Sequence, residues 1–401
     1  MNAPSPSALP PHLRLFSELL DHVRHGAVQE TPQDFEIPVE YYTDPEWFER
    51  ERRELFRGYP IIVGHAAMLR KPGEHFTHDA LGAPILVAKG RDGKIRAFYN
   101  VCRHRGVRLV DEEDVQRRSS FVCPYHHWRY GLDGALQHAP LSDELFKGID
   151  LSCRGLRPIP CVVRRGFIWV QLDGLPDDAE PDVATHLDTI DSDFQAFGME
   201  EQHFYRRSIT TRKANWKLIV DAFQDGYHVV RLHQKTVGPF FIDGGALQER
   251  AGLNMRAAVA RKELLQLIED GLDTAPDSWR PRHHTSFAHF IFPNTVMVFH
   301  PDYTSQLGLF PTSAGETVVI HQCFIPSEPK TDKERKHWER AFSMVEDGVF
   351  HAEDYYVCES TQRGLHSGAN KTHLVGAMET GVAMFREILR DVMGPLPGDR
   401  R

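Results

Sequence analysis

The chain has 401 residues, 41% hydrophobic and 26% charged, a composition typical of a globular protein with two or three domains. Its net charge of −9 excludes a global basic surface for nucleic acid, and no apolar run approaches the length of a membrane helix. The N-terminus lacks a secretory pattern and the six cysteines are too sparse for a disulfide framework, so we expect a cytoplasmic protein.

The first half of the chain is predicted to be an N-terminal segment followed by a small β domain. Residues 1–42 have the pattern of a Pro/Ser-rich tail and an amphipathic helix, and residues 43–57 also have helical spacing. The stretch "APILVAKGRDGKIRAFYNVC" places two β-rich runs around Asp-Gly, which is typical of a hairpin. The acidic, Pro-rich residues 173–184 are predicted to be a linker, so the β domain is expected over 43–173.

The second half, residues 174–401, is predicted to be a larger α+β domain. A strand and then a helix are predicted in "FYRRSITTRKANWKLIVDAFQDGYH", and three or four antiparallel strands within 285–325. Long helical patterns follow towards the C-terminus. We therefore expect an antiparallel sheet covered by helices. Residues 235–284, with an amphipathic "MRAAVARKELLQLIEDGL", have the features of an insertion that could cap a pocket.

Two Cys-His pairs lie close together in "NVCRHRGVRLVDEEDVQRRSSFVCPYHHW". Cys102 and His104 are two residues apart, and Cys123 and His126 are three apart, so each pair fits one tight loop. A tetrahedral zinc site would accept these ligands, and so would a 2Fe–2S cluster with two thiolates on one iron and two imidazoles on the other. The β-rich context and the aromatic "CPYHHWRYGLDG" favour iron–sulfur, with a structural zinc protein as the alternative.

A second group of candidate ligands lies in "DAFQDGYHVVRLH". Asp225 and His228 are three apart and are expected to share a helix face, whereas His228 and His233 would point about 140° apart on a regular helix. Both histidines can bind one metal only if the helix unwinds or bulges between them, which Gly226 would make easier. Two histidines and a distant carboxylate form a facial triad for Fe(II) that leaves positions open for O2 and substrate. The candidate carboxylates are Glu346, Asp347, Glu353, Asp354 and Glu359.

Together, "CRHRG…CPYHHWRYGLDG" and the Asp-x-x-His-x-x-x-x-His spacing resemble the Rieske non-haem iron oxygenases, large (α) subunits of the aromatic-ring-hydroxylating dioxygenase family. The resemblance covers roughly residues 40–365. Two departures are visible: the loop between His104 and Cys123 is slightly longer than is usual, and His127 stands where glycine is commonest. Neither departure removes a ligand.

The resemblance implies a small all-β Rieske domain and a larger catalytic domain with a mononuclear iron. It assigns the 2Fe–2S cluster to Cys102, His104, Cys123 and His126. It assigns Fe(II) to His228 and His233, and its acidic pattern, matched to "EDYYVCESTQ", selects Asp354 as the third ligand. It further implies that Asp225 is catalytic: it would orient His228 and accept a bond from His126 of the partner subunit in a homotrimer.

The same resemblance implies an oxidoreductase, a terminal mono- or dioxygenase. It would use O2 and electrons from a ferredoxin and/or flavin reductase, and so NAD(P)H, to hydroxylate, dihydroxylate or demethylate a small organic substrate. Phe223, Met344 and Phe350 are spaced as candidate pocket residues. The stretches "MVFHPDY" and "ETVVIHQCF" predict an apolar pocket with few charges, which favours an aromatic or largely apolar substrate. The substrate itself, the type of oxygenation and a β subunit stay open, and an electron-transfer or zinc protein without oxygenase chemistry is the alternative function.

Overall fold

The computed structural model describes residues 9–79, 82–271 and 276–399, and the chain forms two compact units. The β unit contains residues 52–186. The sheet–helix unit contains the described residues up to Glu51 together with those from Leu187 onwards. The β unit thus begins and ends later along the chain than the domain predicted over 43–173. The predicted Pro/Ser tail at residues 1–8 lies outside the described residues.

Within the described ranges no helix has the length and apolar character needed to cross a membrane. All six cysteines are free thiols.

The segment before the β unit is mainly helical. Its elements are α1 (Pro11–His25), β1 (Phe35–Pro38), α2 (Glu40–Thr43) and α3 (Pro45–Glu51). Helix α1 starts with proline, whose missing N–H costs nothing in a first turn, and ends at Gly26, whose φ of 61° suits a left-handed cap. Its apolar stripe, including Phe16 and Leu19, is buried. The predicted amphipathic helix is therefore confirmed.

The β unit consists of three antiparallel sheets with short strands. After a π-helical turn (Arg52–Phe56), its elements are β2 (Ile61–His65), β3 (Glu74–His78), β4 (Ile85–Lys89), β5 (Ile95–Tyr99), β6 (Gln116–Arg117), β7 (Phe121–Val122), β8 (Arg129–Tyr130), β9 (Leu136–His138), α4 (Ser142–Leu145), β10 (Pro158–Ile159), β11 (Cys161–Arg164) and β12 (Phe167–Val170). The strand orders are β10-β5-β4-β3-β6, β11-β12-β2 and β7-β8-β9. The hairpin predicted at Asp92-Gly93 is confirmed, because β4 and β5 pair across it and Gly93 has a φ of 80°.

The elements that follow begin with a helix at Val183–Leu187, most of which belongs to the β unit, and the others belong to the sheet–helix unit. They are α5 (Val183–Leu187), α6 (Asp191–Ala196), β13 (His203–Arg212), α7 (Trp216–Gln224), α8 (Val229–Leu232), β14 (Phe241–Ala251), β15 (Asn254–Arg261), α9 (Glu263–Asp270), α10 (Pro281–His284), β16 (Thr285–Ile291), β17 (Thr295–Phe299), β18 (Thr304–Ser313), β19 (Glu316–Ile325), α11 (Asp332–Ser343), a π-helical segment (Met344–Asp354), α12 (Tyr355–His366), β20 (Thr372–Val375) and α13 (Thr380–Met393). Single 3-10 turns occur at Ala66–Met68, Met199–Glu201, Gly238–Phe240 and Pro276–Ser278.

Seven strands of this unit form one antiparallel sheet in the order β13-β19-β18-β17-β16-β15-β14. The same unit contains five of the longer helices: α1, α7, α11, α12 and α13. The predicted architecture, an antiparallel sheet covered by helices, is therefore confirmed. The interpretation of residues 235–284 as an insertion is wrong, because β14 and β15 are integral strands of the sheet. The short Ala/Val-rich run in β15 fits a helix or a buried strand equally well by periodicity, and only pairing with β16 decides.

Candidate iron centres

Two loops of the β unit bring the four predicted cluster ligands together. Cys102 and Cys123 are buried, and the rings of His104 and His126 lie 4.6 Å apart between centroids. Each loop is closed by backbone hydrogen bonds. In the first, the Cys102 N–H donates to the Val107 carbonyl; in the second, the Cys123 N–H donates to the carbonyl of Trp128. The loops therefore present two thiols and two imidazoles to one place.

The surroundings of these side chains fit an iron–sulfur cluster. Burial raises the pKa of the Cys102 thiol, while the Tyr130 hydroxyl, 3.2 Å from its sulfur, opposes that rise. The ring of Trp128 stacks on His104 at 4.9 Å with an interplanar angle of 6°. The Nδ1 atoms of His104 and His126 are both buried and, among the described residues, have no hydrogen-bond partner. Two orphaned imidazole nitrogens beside two buried thiols are what a metal cluster would satisfy.

The departure at His127 has a structural explanation. This residue has a φ of 57°, in the left-handed region where glycine is favoured. Its N–H donates to the Cys123 carbonyl at 3.0 Å and so tightens the loop that carries His126. Glycine would adopt this conformation without strain, so the positive φ explains why glycine is commonest at this position. His127 adopts the same conformation here, and the four candidate ligands still lie together.

In the sheet–helix unit, the helix that carries the second motif is interrupted before His228, whereas the sequence predicted an interruption between His228 and His233. Helix α7 is capped by Asn215, whose side chain accepts from the Lys217 N–H, and it ends at Gln224. Asp225 is extended (φ −96°, ψ 112°), and α8 begins at Val229. Asp225 and His228 therefore do not share a helix face, which corrects that expectation: both lie in the break.

The break is shaped by Asp225 and Gly226. The Asp225 carboxylate accepts from the Tyr227 N–H at 2.6 Å, which fixes the turn. A Cβ on Gly226 would lie only 2.9 Å from the Cβ of Ala246 on β14, so glycine allows a close approach of the break to the sheet. Gly226 is thus needed for space rather than for a positive φ.

His228, His233 and Asp354 meet in the interior of this unit. One potential ligand atom from each lies within 4.8 Å of the others. The Asp354 Oδ1 is 3.6 Å from His228 Nε2 and 3.3 Å from His233 Nε2, and it is buried without a hydrogen bond from the described residues. A carboxylate oxygen facing two imidazole nitrogens at these spacings leaves room for a shared cation. The donor set of two histidines and one carboxylate fits non-haem iron.

Three of the four competing carboxylates have other partners, and the fourth, Asp347, is not among the residues that meet at the candidate metal position. Glu346 binds His321 Nδ1 at 2.5 Å and also the hydroxyl of Ser208, while Glu359 accepts from the Lys213 N–H at 3.1 Å. Glu353 accepts from His233 Nδ1 at 2.7 Å, on the side of the ring away from Asp354. These contacts leave Asp354 as the carboxylate that faces both Nε2 atoms.

Glu353 orients His233, and Asp225 lies beside His228 without a hydrogen bond to it. Glu353 accepts from His233 Nδ1 and from the Thr236 hydroxyl, the latter at 2.6 Å. Asp225 Oδ2 lies 3.4 Å from His228 Nδ1, which is buried and has no hydrogen-bond partner among the described residues. A hydrogen bond to the second ring nitrogen, as at His233, fixes the tautomer and directs Nε2 to the metal position. Burial would lower the pKa of His233, but Asp354 and Glu353 outweigh it and the pKa is raised. The role of Glu353 was missed, since the sequence offered it only as a rival ligand.

The carboxylate four residues before Asp225 lies in a buried network. Asp221 accepts from the Tyr42 hydroxyl at 2.8 Å, and Lys217 lies close enough to lower its pKa. Burial nevertheless dominates and raises the pKa of Asp221 to about 7. The hydrogen bond from Tyr42 to Asp221 ties the N-terminal segment to α7.

A cavity of about 450 Å³ adjoins the three candidate iron ligands. Phe223, Met344 and Phe350 all line it, as expected, and the rings of Phe223 and Phe350 meet edge to face at 5.4 Å. Met344 is 45% exposed. The walls are mainly apolar, but several charged residues also line the cavity: Asp225, Arg261, Asp302, Arg340 and Asp354.

The cavity is thus more charged than the sequence suggested. The stretch containing Asp302 does line it, whereas "ETVVIHQCF" does not appear in its wall and His321 pairs with Glu346 instead. Arg261 and Arg340 lie outside both stretches from which the pocket was predicted. Arg261 lines the cavity from β15, and the exposed Arg340 lines it from α11.

Comparison with known families agrees with this geometry. Residues 60–153 match the Rieske [2Fe-2S] domain, and residues 188–395 match the ring hydroxylating alpha subunit (catalytic domain). The chain belongs to the ring-hydroxylating α-subunit family of Rieske non-haem iron oxygenases. It is an oxidoreductase whose cofactors are a 2Fe–2S cluster and a non-haem iron. The alternative interpretation as a structural zinc protein is therefore wrong. Oxygenases of this family take electrons from a partner and use O2 and a small-molecule substrate.

Several curated relatives are oxygenase subunits for small ammonium compounds. The chain is 26% identical over 388 residues to the carnitine monooxygenase oxygenase subunit of Acinetobacter baumannii, covering 91% of this chain and 98% of that one. It is 32% identical over 230 residues to the glycine betaine monooxygenase oxygenase subunit of Chromohalobacter salexigens, 57% and 50% of the two chains. It is 27% identical over 359 residues to the chloroplastic choline monooxygenase of Spinacia oleracea, 88% and 77%.

Solved structures share the fold. A quaternary ammonium Rieske monooxygenase in complex with L-carnitine superposes with a TM-score of 0.75 and 23% identity, covering 90% of this chain and 97% of that one. Naphthalene 1,2-dioxygenase from Rhodococcus sp. gives a TM-score of 0.75 with 18% identity, covering 95% and 98%. The fold alone therefore does not identify the substrate.

Proposed function

We propose that the chain is a terminal oxygenase that hydroxylates a carbon beside the quaternary nitrogen of a small trimethylammonium compound. The names of the relatives support this substrate class, since carnitine, glycine betaine and choline all carry a trimethylammonium group. The proposal replaces the expectation of an aromatic or largely apolar substrate, for which the mixed lining of the cavity gives less support.

One observation carries the proposal: the cavity combines aromatic rings with a carboxylate beside the candidate iron ligands. Phe223 and Phe350 offer ring surfaces there, and Asp225, which is not a candidate iron ligand, adds negative charge. A quaternary ammonium cannot donate hydrogen bonds, so proteins bind it with aromatic faces and nearby negative charge. This combination would hold the methyl groups next to the iron position.

The reaction can be balanced with the components implied by the family. The iron centre supplies O2 activation. One oxygen atom enters a C–H bond of the substrate and the other leaves as water, with two electrons and two protons provided. A hydroxyl on a carbon attached to the quaternary nitrogen then allows the C–N bond to break, which releases a tertiary amine and leaves a carbonyl. The chain's residues bind the ammonium and exclude water from the apolar walls.

We also propose that electrons arrive through Asp225 in a homotrimer. The His228 contact at 3.4 Å lets Asp225 connect the iron ligand to His126 of the partner subunit. An NAD(P)H-linked ferredoxin and/or flavin reductase would feed the cluster. Asp225→Asn should keep both metals, measured by iron content and the visible spectrum, yet reduce turnover to background. Full activity of Asp225→Asn would contradict a role of Asp225 in electron transfer. Loss of iron would instead indicate that Asp225 binds the metal.

The substrate class is tested with a panel under labelled dioxygen, using a surrogate reductase and mass spectrometry. The panel contains carnitine, glycine betaine and choline, and, for the rival reading, naphthalene and benzoate. We expect one labelled oxygen atom in products of trimethylammonium compounds only. Two labelled atoms in an aromatic product would instead favour a dihydroxylating enzyme and reject the proposal.

A further inference from the structure

The cavity has a polar end centred on Arg261 that the proposed function does not use. Arg261 lies on β15 with Ala257 and Val259, and all three line the cavity because alternate side chains share one face of a sheet. Ala257 pairs with Gln248, whose side chain donates to the Gln224 carbonyl at the end of α7. The Cα atom of Arg261 therefore lies about 13 Å along the strand from the Cα atom of Ala257, which is at the end of the cavity near the candidate iron ligands.

The Arg261 side chain is held in place but lacks a full set of partners. Its guanidinium carbon lies 5.7 and 5.6 Å from the ring centroids of Phe240 and Phe241, which hold it by cation–π contact. Its Nε is buried and, within the described residues, has no hydrogen-bond partner. Glu263 reaches Nη2 only at 3.4 Å, and that carboxylate side chain is 51% exposed. A guanidinium that is mostly out of water and incompletely paired is costly unless a ligand completes it.

The neighbours of Arg261 include a second cation, Arg282, and a neutral imidazole, His300, that can donate a hydrogen bond. The His300 ring stacks on Tyr303 at 4.1 Å, and its Nε2 is buried without a hydrogen-bond partner in the described residues. The Arg282 guanidinium donates to the carbonyls of His300 and Tyr303, both at 2.7 Å. Burial and then Arg282 lower the pKa of His300 to about 3, so its imidazole is neutral and Nε2 can carry a hydrogen. Asp302 is 50% exposed and lies 3.2 Å from His337, at the outer side of the cavity.

We propose that Arg261, assisted by His300, binds a carboxylate of the substrate, so that the substrate is a zwitterion rather than a simple cation. This inference rests on the proposed function and deepens it: the trimethylammonium lies by Phe223 and Phe350, and the carboxylate by Arg261. The planar guanidinium fork matches a carboxylate, which would replace the missing partners of Nε. A cation without a carboxylate leaves Arg261 unpaired and binds more weakly.

The test compares two ligands that differ only at the anionic end: 4-trimethylammoniobutanoate and its carboxamide. Their affinities for the purified holoenzyme are measured by calorimetry. We expect the carboxylate to bind about 10- to 100-fold more tightly, as for charge-assisted hydrogen bonds in a desolvated site. Arg261→Met should remove that preference and leave the carboxamide affinity within about twofold, while Arg261→Lys should keep part of it.

Arg335→Met is the matched control, because Arg335 lies on α11 outside the cavity wall and is 54% exposed. It should leave both affinities unchanged. Equal wild-type affinities for the two ligands, or an equal loss for both in Arg261→Met, would overturn the inference. If Arg261→Met does not fold, as judged by circular dichroism, Arg261→Lys is used instead. The inference then requires a smaller ratio between the carboxylate and carboxamide affinities in Arg261→Lys than in the natural protein.

The binding experiment distinguishes an error in the anion site from an error in the proposed substrate class. If neither trimethylammonium ligand binds, the substrate class is wrong, and benzoate and benzamide are compared instead. A benzoate preference that Arg261→Met abolishes keeps the anion site with another substrate class. Absence of any preference rejects the anion site as well.

Discussion

At the scale of single residues, Glu353 is the contact on which the position of His233 depends most directly. Its carboxylate binds His233 Nδ1 and the Thr236 hydroxyl and so fixes the ring that faces the iron position. Glu353→Ala should lower iron affinity or turnover by about 10- to 100-fold, as loss of such contacts does in other metal sites. Iron content and turnover are the measurements, with the visible spectrum of the cluster unchanged.

Glu353→Gln is the matched control, because the amide oxygen still accepts from Nδ1. It should retain most of the iron. Equal losses in the two variants would mean that negative charge, and not orientation, is what His233 requires.

Residue spacing could single out candidate ligands on one short segment, and it failed for contacts between segments. Cys102, His104, Cys123 and His126 could be proposed as one set because each pair lies within one loop. Asp354 lies more than a hundred residues after His233, and only the family resemblance separated it from the neighbouring acids. Glu353 and Arg261 gave no signal, since their roles depend on which atoms face each other across different helices and strands.

At the scale of elements, the break between α7 and α8 determines where His228 and His233 point. Gly226→Ala would place a methyl group 2.9 Å from the Cβ of Ala246, so the break and β14 must separate. We expect the free energy of unfolding to fall by about 1–3 kcal/mol and turnover to fall with it. Chemical denaturation followed by circular dichroism measures the first quantity.

Gly364→Ala is the matched control within a helix. Gly364 is on α12, is exposed, and its added Cβ would meet nothing within 4 Å. That substitution should raise the free energy of unfolding by about 0.5–1 kcal/mol, because alanine favours a helix. A Gly226→Ala variant as stable and active as the natural protein would show that the close approach is unimportant.

The elements themselves were predictable where the local pattern decides. The β4–β5 hairpin has its turn residues, α11 has the Thr331 and Glu334 capping box, and the four strands β16–β19 alternate with turns. Strands β14 and β15 were not recognised as part of the sheet, because their glycines and short side chains carry weak propensities. Their identity follows from pairing with β16, which is a long-range contact.

At the scale of the whole molecule, a buried ion pair ties the N-terminal segment to the helix of the iron site. Lys217 on α7 and Glu51 on α3 are both almost fully buried and lie 2.6 Å apart. Glu51 also accepts from the indoles of Trp47 and Trp216. Burial lowers the pKa of Lys217 and Glu51 opposes that effect. Glu51 therefore gathers three donors, from α3 and α7, around one carboxylate.

Lys217→Met should lower the free energy of unfolding by about 3–5 kcal/mol, because it leaves the Glu51 charge buried with only two indole donors. The double variant Glu51→Gln/Lys217→Met should recover much of the loss. Denaturation midpoints measure both. The exposed pair of Arg24 and Asp21 serves as comparison, and Arg24→Met should cost under about 1 kcal/mol. A double variant no more stable than Lys217→Met would refute the explanation by unpaired charge.

Along the sequence, the residues of the β unit are inserted between two stretches of the sheet–helix unit, and this order has a consequence for synthesis on the ribosome. Residues 52–186 are complete before any strand of the seven-stranded sheet has been made, so this unit can fold and take up its cluster first. Helix α1 must wait for β14 and β15, and β1 must wait for its partner β20 close to the end of the chain. The candidate mononuclear iron site, which includes Asp354, is therefore completed later in synthesis than the candidate cluster site.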